Sequence, residues 1–346
     1  MPVPRRHFMR SLSGLLLGLL VAGRARTEDD PAVVVRLNLP GPGSLPFLPL
    51  ELIPALGFDR EMGARLLLRY HPSGIRALED TLQGNADFAA LGFPTLPLMQ
   101  MRGRDAVAIA PLSGMRHTFQ LMIRKDLAHS ITRIEQLKGR TIAISTGSPA
   151  SKTYMQMLAE ILLHSHGIGG HQVRWLSSGQ NWESISGAMI SRAADAVLCE
   201  QPFPARLIRT GLAVSLSDLG DPAIQARVPG INAQRSAITA PRQRLNLPDM
   251  QQKAELMIRM LRRVLVWLHG VPTDTVVAHV AAESSAEERA ELASLLDRFP
   301  GIYSPDARFV ESQITATDDF LRAATGNDRL LPAREVIVDR WAGSKR

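Results

Sequence analysis

Small polar residues follow several of the predicted strands, and their side chains and backbone groups are suited to ligand binding. They offer hydroxyls, backbone amides, side-chain oxygens and two phenyl rings, with little fixed charge. The candidate ligand-binding residues are Ser44, Phe47, Gly92, Phe93, Thr95, Ser113, Thr146, Gly147, Ser148, Ser151, Asn181, Glu200 and Gln201. Open α/β sheets bind ligands outside the carboxyl ends of their strands. The set therefore predicts a site for a small polar molecule.

The stretch STGSPAS, residues 145–151, is a candidate anion-binding turn. Residues 141–145 have the β-branched pattern of a buried strand, and Ser148 is placed to cap a helix that Pro149 opens. Such a helix start presents unpaired N–H groups and a favourable dipole to an anionic or polar ligand. Alternatively, the stretch only connects a strand to a helix.

Motifs for catalysis are absent from the sequence. It contains no GxSxG, HExxH, P-loop or GxGxxG pattern. Cys199 beside Glu200 could act as a nucleophile, but a thiol at the end of a buried strand is more often a packing residue. Asp87 and Asp195 could form an acid/base pair, yet their position before strands favours hydrogen bonding within turns. We therefore expect no catalytic residue, no metal site and no cofactor.

Two residues at the start of a predicted helix have alternative roles. Asn181 could contact a ligand or cap the helix. Trp182 could stack on an aromatic ligand or fill the seam between the helix and a sheet. The sequence leaves both choices open.

The N-terminal segment has the pattern of an export signal. Arg5, Arg6 and Arg10 precede an apolar run over 12–22, and small residues follow up to Ala25. The Arg5-Arg6 pair predicts twin-arginine export, with general secretion as the alternative. Cleavage near Ala25 would remove four arginines and no acids, lowering the formal net charge from +7 to +3. The mature chain is therefore not expected to bind nucleic acid.

Length and composition are those of a two-lobed globular protein. The chain has 346 residues, of which 45% are hydrophobic, and a single cysteine that excludes an intramolecular disulfide. Strands alternate with helices and predict mainly parallel sheets. The strands are expected at 33–39, 65–70, 86–90, 107–110, 118–124, 141–145, 173–176, 194–199, 213–217 and 236–240. The segment after residue 240 reads as almost wholly helical.

A coarse duplication suggests two similar lobes. GNADFAALGFP in the first half and SRAADAVLCEQPFP in the second each place an Ala-Asp pair before a strand and a Pro-containing turn after it. The strand over 118–124 follows the preceding strand without an intervening helix, which marks a crossing into the second lobe. We predict lobe 1 at 30–113 plus 236–346 and lobe 2 at 114–235.

Four segments together resemble the periplasmic substrate-binding proteins of ABC transporters in the nitrate, taurine, aliphatic-sulfonate and thiamine-precursor class. They are NLPGPGSLPFLPLE, GIRALEDTLQGNADFAALG, LKGRTIAISTGSPAS and ADAVLCEQPFPARL. The resemblance implies a two-lobed, type II periplasmic-binding-protein fold, with hinges near Ser113 and Ser236. It places the ligand loops at Ser44 and Phe47, at 92–95, at 146–151, and at Glu200 with Gln201. No Arg or Lys stands out in these loops, which argues against a strongly anionic ligand.

The resemblance implies a non-enzymatic, monomeric protein of the periplasm. It would capture a small polar or anionic metabolite and deliver it to an ABC permease and its ATPase. The alternatives are an enzyme on the same fold, related to thiamine pyrimidine-precursor synthesis, and an orphan ligand-sensing protein.

Overall fold

Two mixed β-sheets with helices on their faces organise the chain. The computed structural model describes residues 33–113, 117–146, 152–281 and 284–345, all within one unit, Ala32–Arg346. The strands are β1 (Val33–Pro40), β2 (Ala64–His71), β3 (Phe88–Gly92), β4 (Ala106–Ser113), β5 (Phe119–Arg124), β6 (Thr141–Ser145), β7 (Arg174–Ser178), β8 (Ala196–Glu200), β9 (Ala213–Asp218), β10 (Ser236–Pro241), β11 (Phe309–Val310) and β12 (Ser344–Lys345). The helices are α1 (Leu48–Ala55), α2 (Phe58–Glu61), α3 (Gly74–Leu82), α4 (Thr95–Gln100), α5 (Tyr154–His164), α6 (Trp182–Ile190), α7 (Phe203–Arg209), α8 (Pro222–Gln225), α9 (Pro248–Gly270), α10 (Thr273–Val280), α11 (Ala286–Arg298) and α12 (Glu311–Thr325).

The two large sheets have the same topology. Their strand orders are β2-β1-β3-β10-β4, which defines lobe 1, and β7-β6-β8-β5-β9, which defines lobe 2. In each sheet four strands run in one direction, and the fourth strand in the order, β10 or β5, runs antiparallel to both of its neighbours. This arrangement confirms the predicted mainly parallel, two-lobed fold.

The two Ala-Asp pairs play the same structural role in the two lobes. An Asp87 carboxylate oxygen accepts a hydrogen bond of 2.8 Å from the backbone N–H of Arg36 on β1. An Asp195 oxygen accepts one of 3.0 Å from the N–H of Thr141 on β6. Each aspartate therefore bonds the backbone of the strand beside its own, 51 or 54 residues away in the chain, instead of bonding within a local turn as predicted.

The predicted start of one helix is wrong. Pro149 was expected to open it, but α5 begins at Tyr154, where the Thr153 hydroxyl accepts a hydrogen bond of 3.0 Å from the N–H of Gln156. The same hydroxyl donates to the Ser145 carbonyl oxygen at 2.6 Å. Because Thr153 bonds both the end of β6 and the first turn of α5, it fixes the helix start against the strand.

The chain passes between the sheets after Ser113 and before Ser236. These residues are paired between β4 and β10, and their hydroxyl oxygens lie 2.5 Å apart. The Gln234 side-chain amide donates hydrogen bonds of 3.0 Å to the carbonyl oxygens of both serines. The two crossings are therefore bonded to each other.

Helix α12 contacts the cores of both lobes. Ile314 packs in the core around β1, β3 and β4, whereas Phe320 and Leu321 pack in the core around β5 and β6. The sequence analysis assigned 236–346 to lobe 1, and this helix also gives the two lobes an additional connection. The residue boundaries predicted for the lobes stay a prediction.

Helix α11 also makes ion pairs with lobe 2, although its leucines pack on lobe 1. Arg209 of α7 lies 3.4 Å from Glu288 and 3.3 Å from Glu291, and Arg298 lies 3.1 Å from Asp218 of β9. These groups are partly exposed, so each pair contributes ~1 kcal/mol or less. Within the described ranges, no helix is long and apolar enough to span a membrane.

Candidate functional site

The candidate site lies where strand ends from both sheets meet. The carboxyl ends of β3, β6 and β8 supply Gly92, Ser145 and Glu200. Because β5 and β10 run in the opposite direction, their first residues, Phe119 and Ser236, reach the same place. The starts of β5 and β10 therefore lie beside the ends of β3, β6 and β8, because of strand direction alone.

A small cavity of about 40 Å³ lies between the lobes at this point. Its lining is apolar on the lobe 1 side and more polar on the lobe 2 side. The lobe 1 residues are Pro40, Pro46, Phe47, Gly74, Ile75, Leu91, Gly92, Thr95 and Ser236. The lobe 2 residues are Phe119, Ser145, Thr153, Tyr154, Met155, Gln180 and Glu200, and Arg235 lies at the second crossing. A water needs roughly 10–15 Å³ of such space, so the closed cavity holds only a few atoms.

Backbone hydrogen bonds across the cleft keep the lobes together in this conformation. The N–H of Leu45 donates to the Gln201 carbonyl oxygen at 3.3 Å, and the N–H of Gln180 donates to the Pro72 carbonyl oxygen at 3.3 Å. A larger ligand therefore requires the lobes to separate and close again around it.

Four of the predicted ligand-binding residues line the cavity. They are Phe47, Gly92, Thr95 and Glu200. A fifth, Ser44, lines an adjoining pocket beside Cys199 and Phe203.

The other described candidates lie outside the cavity lining and have partners of their own. Phe93 packs against Phe309 with ring centroids 6.5 Å apart, and Ser113 is bonded to Ser236. The hydroxyl oxygens of Thr146 and Ser177 lie 2.6 Å apart. Asn181 caps α6, where its side-chain oxygen accepts a hydrogen bond of 2.9 Å from the Ser184 N–H.

Gln201 bonds through its backbone on both sides of the cleft. Its N–H donates to the Thr118 carbonyl oxygen at 3.0 Å, and its own carbonyl accepts the Leu45 bond given above. Gly147, Ser148 and Ser151 lie outside the described residues. Their roles stay predictions.

Arg235 is the main residue that the sequence reasoning missed. Its side chain is only 2% exposed and forms an ion pair with Glu200, which is 5% exposed. The Thr118 hydroxyl donates to Glu200 Oε1 at 2.7 Å and accepts from Arg235 Nη2 at 3.3 Å. The cleft therefore contains a cation that lies outside the ligand loops named from the sequence. Arg235 was missed because it precedes a strand, and only the reversed direction of β10 brings it to the ligand edge.

The guanidinium of Arg235 also lies over an aromatic ring. Its Cζ atom is 5.1 Å from the centroid of Phe119, whose ring contacts Tyr154 edge-on at 5.9 Å. Burial lowers the pKa of Arg235 to about 10, which still leaves it charged at neutral pH. A cation over a phenyl ring is stabilised by the ring quadrupole.

Ser145 and Tyr154 both belong to the cavity lining. The Ser145 hydroxyl is buried and has no hydrogen-bond partner in the part of the chain that the structure describes. Tyr154 is 7% exposed, and burial raises its pKa to about 12, so its phenol stays protonated as a donor. A buried hydroxyl without a partner is unfavourable, and a ligand acceptor would relieve that cost.

The thiol of Cys199 is not placed for nucleophilic catalysis. It is 1% exposed on β8, and burial raises its pKa above the ordinary value. A protonated, buried thiol is a poor nucleophile. Trp182 contacts Arg206 of α7, whose Cζ is 4.2 Å from the ring centroid, and does not line the cavity. These positions agree with packing roles.

His117 is a buried histidine beside the cleft, and it should make stability depend on pH. Burial, reinforced by the charge of Arg235, lowers its pKa to about 3, while its Nε2 bonds the Ile231 carbonyl oxygen. The unfolded chain takes up a proton near pH 6.5 and the folded chain does not, so stability is lost as the pH falls from 6.5 towards 3.

We expect the His117→Gln variant to lack this loss. Between pH 7.5 and 5.0 the wild-type unfolding free energy should fall by roughly 2 kcal/mol more than that of the variant. Urea unfolding of both proteins at the two pH values measures the difference. Parallel losses in the two proteins would contradict the assignment.

Comparisons with known proteins identify relatives of the chain. The family model described as NMT1/THI5 like matches residues 54–230, half of the sequence. No curated protein matches this sequence. A solved structure from Bordetella bronchiseptica RB50 is 18% identical to this chain and has a TM-score of 0.78. The match covers 90% of this chain and 96% of the chain in that structure.

Two further solved structures share the fold. The alkanesulfonate-binding protein SsuA from Xanthomonas axonopodis pv. citri, bound to MOPS, is 16% identical and has a TM-score of 0.69, over 90% of this chain and 99% of that one. A Candida albicans gene product with the generic periplasmic binding protein structural fold is 10% identical, with a TM-score of 0.69 over 91% and 98% of the two chains. At these identities the likeness shows the fold.

Proposed function

The chain belongs to the NMT1/THI5-like family, and from this premise we propose that it is the solute-binding component of an ABC importer. It binds a small polar metabolite between its lobes without changing it chemically. The observation that carries the proposal is the cavity between the lobes, to which both lobes contribute side chains. Ligand bound there makes contacts with both lobes only when they are closed, so binding shifts the population towards the closed form.

The geometry favours binding over catalysis. The cavity presents hydroxyls, an ion pair and apolar side chains, whereas the thiol beside it is buried and protonated. Sites of this composition hold a ligand by shape and by a few hydrogen bonds.

The remaining features of the proposal concern location and partners. We place the protein in the periplasm as a monomer, exported by a signal that is cleaved near Ala25. The closed, ligand-bound form would deliver its solute to a permease with an associated ATPase. A ligand-sensing protein without a permease would use the same lobe closure.

A ligand screen tests the binding role. The chain is expressed with its N-terminal segment, recovered from the periplasmic fraction, and screened by thermal shift against sulfonates, nitrate, pyrimidines and aromatic acids. A true ligand at 100 times its Kd should stabilise the protein by ~2.7 kcal/mol and bind one-to-one in calorimetry. Small-angle scattering should show a smaller radius of gyration on binding.

Two results would contradict the proposal. One is conversion of a bound compound, detected by mass spectrometry of the recovered ligand. The other is a folded protein that binds no compound of the screen. N-terminal sequencing of the periplasmic protein tests the cleavage site in the same preparation.

A further inference from the structure

The charged side chains of the cavity lining, within the part of the chain that the structure describes, are Glu200 and Arg235. They have opposite signs and are paired with each other. We propose that the ligand carries no net charge and presents hydrogen-bond acceptors beside an apolar body. This inference rests on the proposed function, because it concerns what the same cavity binds.

An anion would disturb the buried ion pair. To bind Arg235 it would have to displace Glu200, and the carboxylate, 5% exposed, would then be left without its cation. Removing one partner of a buried pair is strongly unfavourable. An anion that leaves the pair intact would instead lie close to the negative charge of Glu200.

The neighbouring titratable groups that the structure describes do not supply a compensating positive charge. The lowered pKa of His117 keeps it neutral at physiological pH. Burial raises the pKa values of Tyr154 and Tyr303, so both phenols remain uncharged. The described part of the cleft is therefore neutral overall, although it contains a guanidinium.

Acceptor groups on the ligand are nevertheless favoured at the lobe 2 wall. The Ser145 hydroxyl is buried without a partner among the described residues, and Tyr154 and Met155 lie in the first turn of α5. Backbone N–H groups in a first helical turn lack partners within the helix and attract partial negative charge. A carbonyl, amide or sulfonamide oxygen meets this requirement without carrying a full charge.

The lobe 1 wall selects the rest of the molecule. Phe47, Ile75 and Leu91 face the cavity together with two prolines, and none of these side chains can hydrogen-bond. An apolar or aromatic body is therefore expected on this side, and burying it provides favourable free energy.

The test compares a matched pair of probes, benzenesulfonate and benzenesulfonamide, which differ in charge and little in shape. Wild type should bind the sulfonamide more tightly than the sulfonate in calorimetry. Glu200→Gln removes the negative charge paired with Arg235 while keeping a side-chain oxygen for the Thr118 hydroxyl. In this variant the affinity for sulfonate relative to sulfonamide should rise at least tenfold.

Two further variants separate charge from folding. Glu135→Gln removes a carboxylate of the same lobe that is 49% exposed and lies outside the cavity lining. This variant should leave the ratio of sulfonate affinity to sulfonamide affinity unchanged. Glu200→Gln combined with Arg235→Gln should abolish the gain in sulfonate affinity. Circular dichroism confirms that each variant is folded.

The outcomes distinguish this inference from the proposed function. Sulfonate binding to wild type at least as tight as sulfonamide binding overturns the inference but supports a binding role. A folded Glu200→Gln variant that gains no sulfonate affinity also overturns it. If wild type binds neither probe while the variant gains sulfonate binding, the neutralising role of Glu200 is supported, and the wider screen alone decides the binding function.

Discussion

Replacing Gly92 with alanine is expected to lower ligand affinity by about 10- to 100-fold with little effect on folding. A Cβ atom at this position in lobe 1 would lie 2.5 Å from Cβ of Tyr154 and 3.2 Å from its Cγ, on lobe 2. Neither atom belongs to a flexible side-chain end, so the lobes would have to move apart. Overpacking of this kind costs about 1–3 kcal/mol, and each 1.4 kcal/mol corresponds to a tenfold change in affinity.

Calorimetry with a ligand from the screen measures this effect, and small-angle scattering should show that the variant stays more open at saturating ligand. Gly187→Ala is the matched control, because a Cβ on that glycine of α6 meets no atom within 4 Å. Wild-type affinity in the Gly92→Ala protein would show that closure does not require this contact.

Replacing Gly230 with alanine is expected to destabilise the protein by about 3 kcal/mol or more. A Cβ atom there would lie 2.3 Å from the Phe320 backbone nitrogen and 2.4 Å from the Ala316 carbonyl oxygen, both in α12. The φ angle of +64° is also unfavourable for alanine, by ~1–2 kcal/mol. Overpacking against the helix backbone adds ~1–3 kcal/mol, since neither side can move freely.

Gly326 provides a control with the same backbone conformation. Its φ angle is +63°, but a Cβ on it meets nothing within 4 Å. Gly326→Ala should therefore lower the free energy of unfolding only by the cost of the backbone conformation, ~1–2 kcal/mol. Urea unfolding of the Gly230→Ala and Gly326→Ala variants separates the cost of the backbone conformation from the cost of overpacking. Equal losses of unfolding free energy in the two variants would show that α12 does not pack closely on Gly230.

Local sequence patterns predicted most of the sheets but not the full site. The strand β6 was predicted with its observed bounds because its signal depends on near neighbours in the chain. Asp87 and Asp195 were assigned to turns, but their carboxylates bond strands 51 and 54 residues away. The start of α5 was misplaced because Pro149 gives a strong local signal, whereas Thr153 caps the helix through a tertiary bond to Ser145.

Arg235 shows why the site could not be completed from the sequence. The rule that ligands lie after parallel strands directs attention to strand ends. Arg235 stands before β10, and its place depends on that strand running against β3 and β4. The signal that could have found it is the predicted crossing near Ser236, because a strand that enters directly from the other lobe starts at the cleft.

The position of β10 between β3 and β4 also sets an order of assembly during synthesis. Lobe 2 takes its sheet strands from one continuous stretch, 119–218. Lobe 1 has β3 and β4 early in the chain, but β10, whose last residue is Pro241, lies between them in the sheet. As the ribosome extends the chain, all five strands of the lobe 2 sheet are available before β10, the fourth strand in the order of the lobe 1 sheet. The sheet of lobe 1 is therefore the later one to be completed, although its first strands are synthesised earlier.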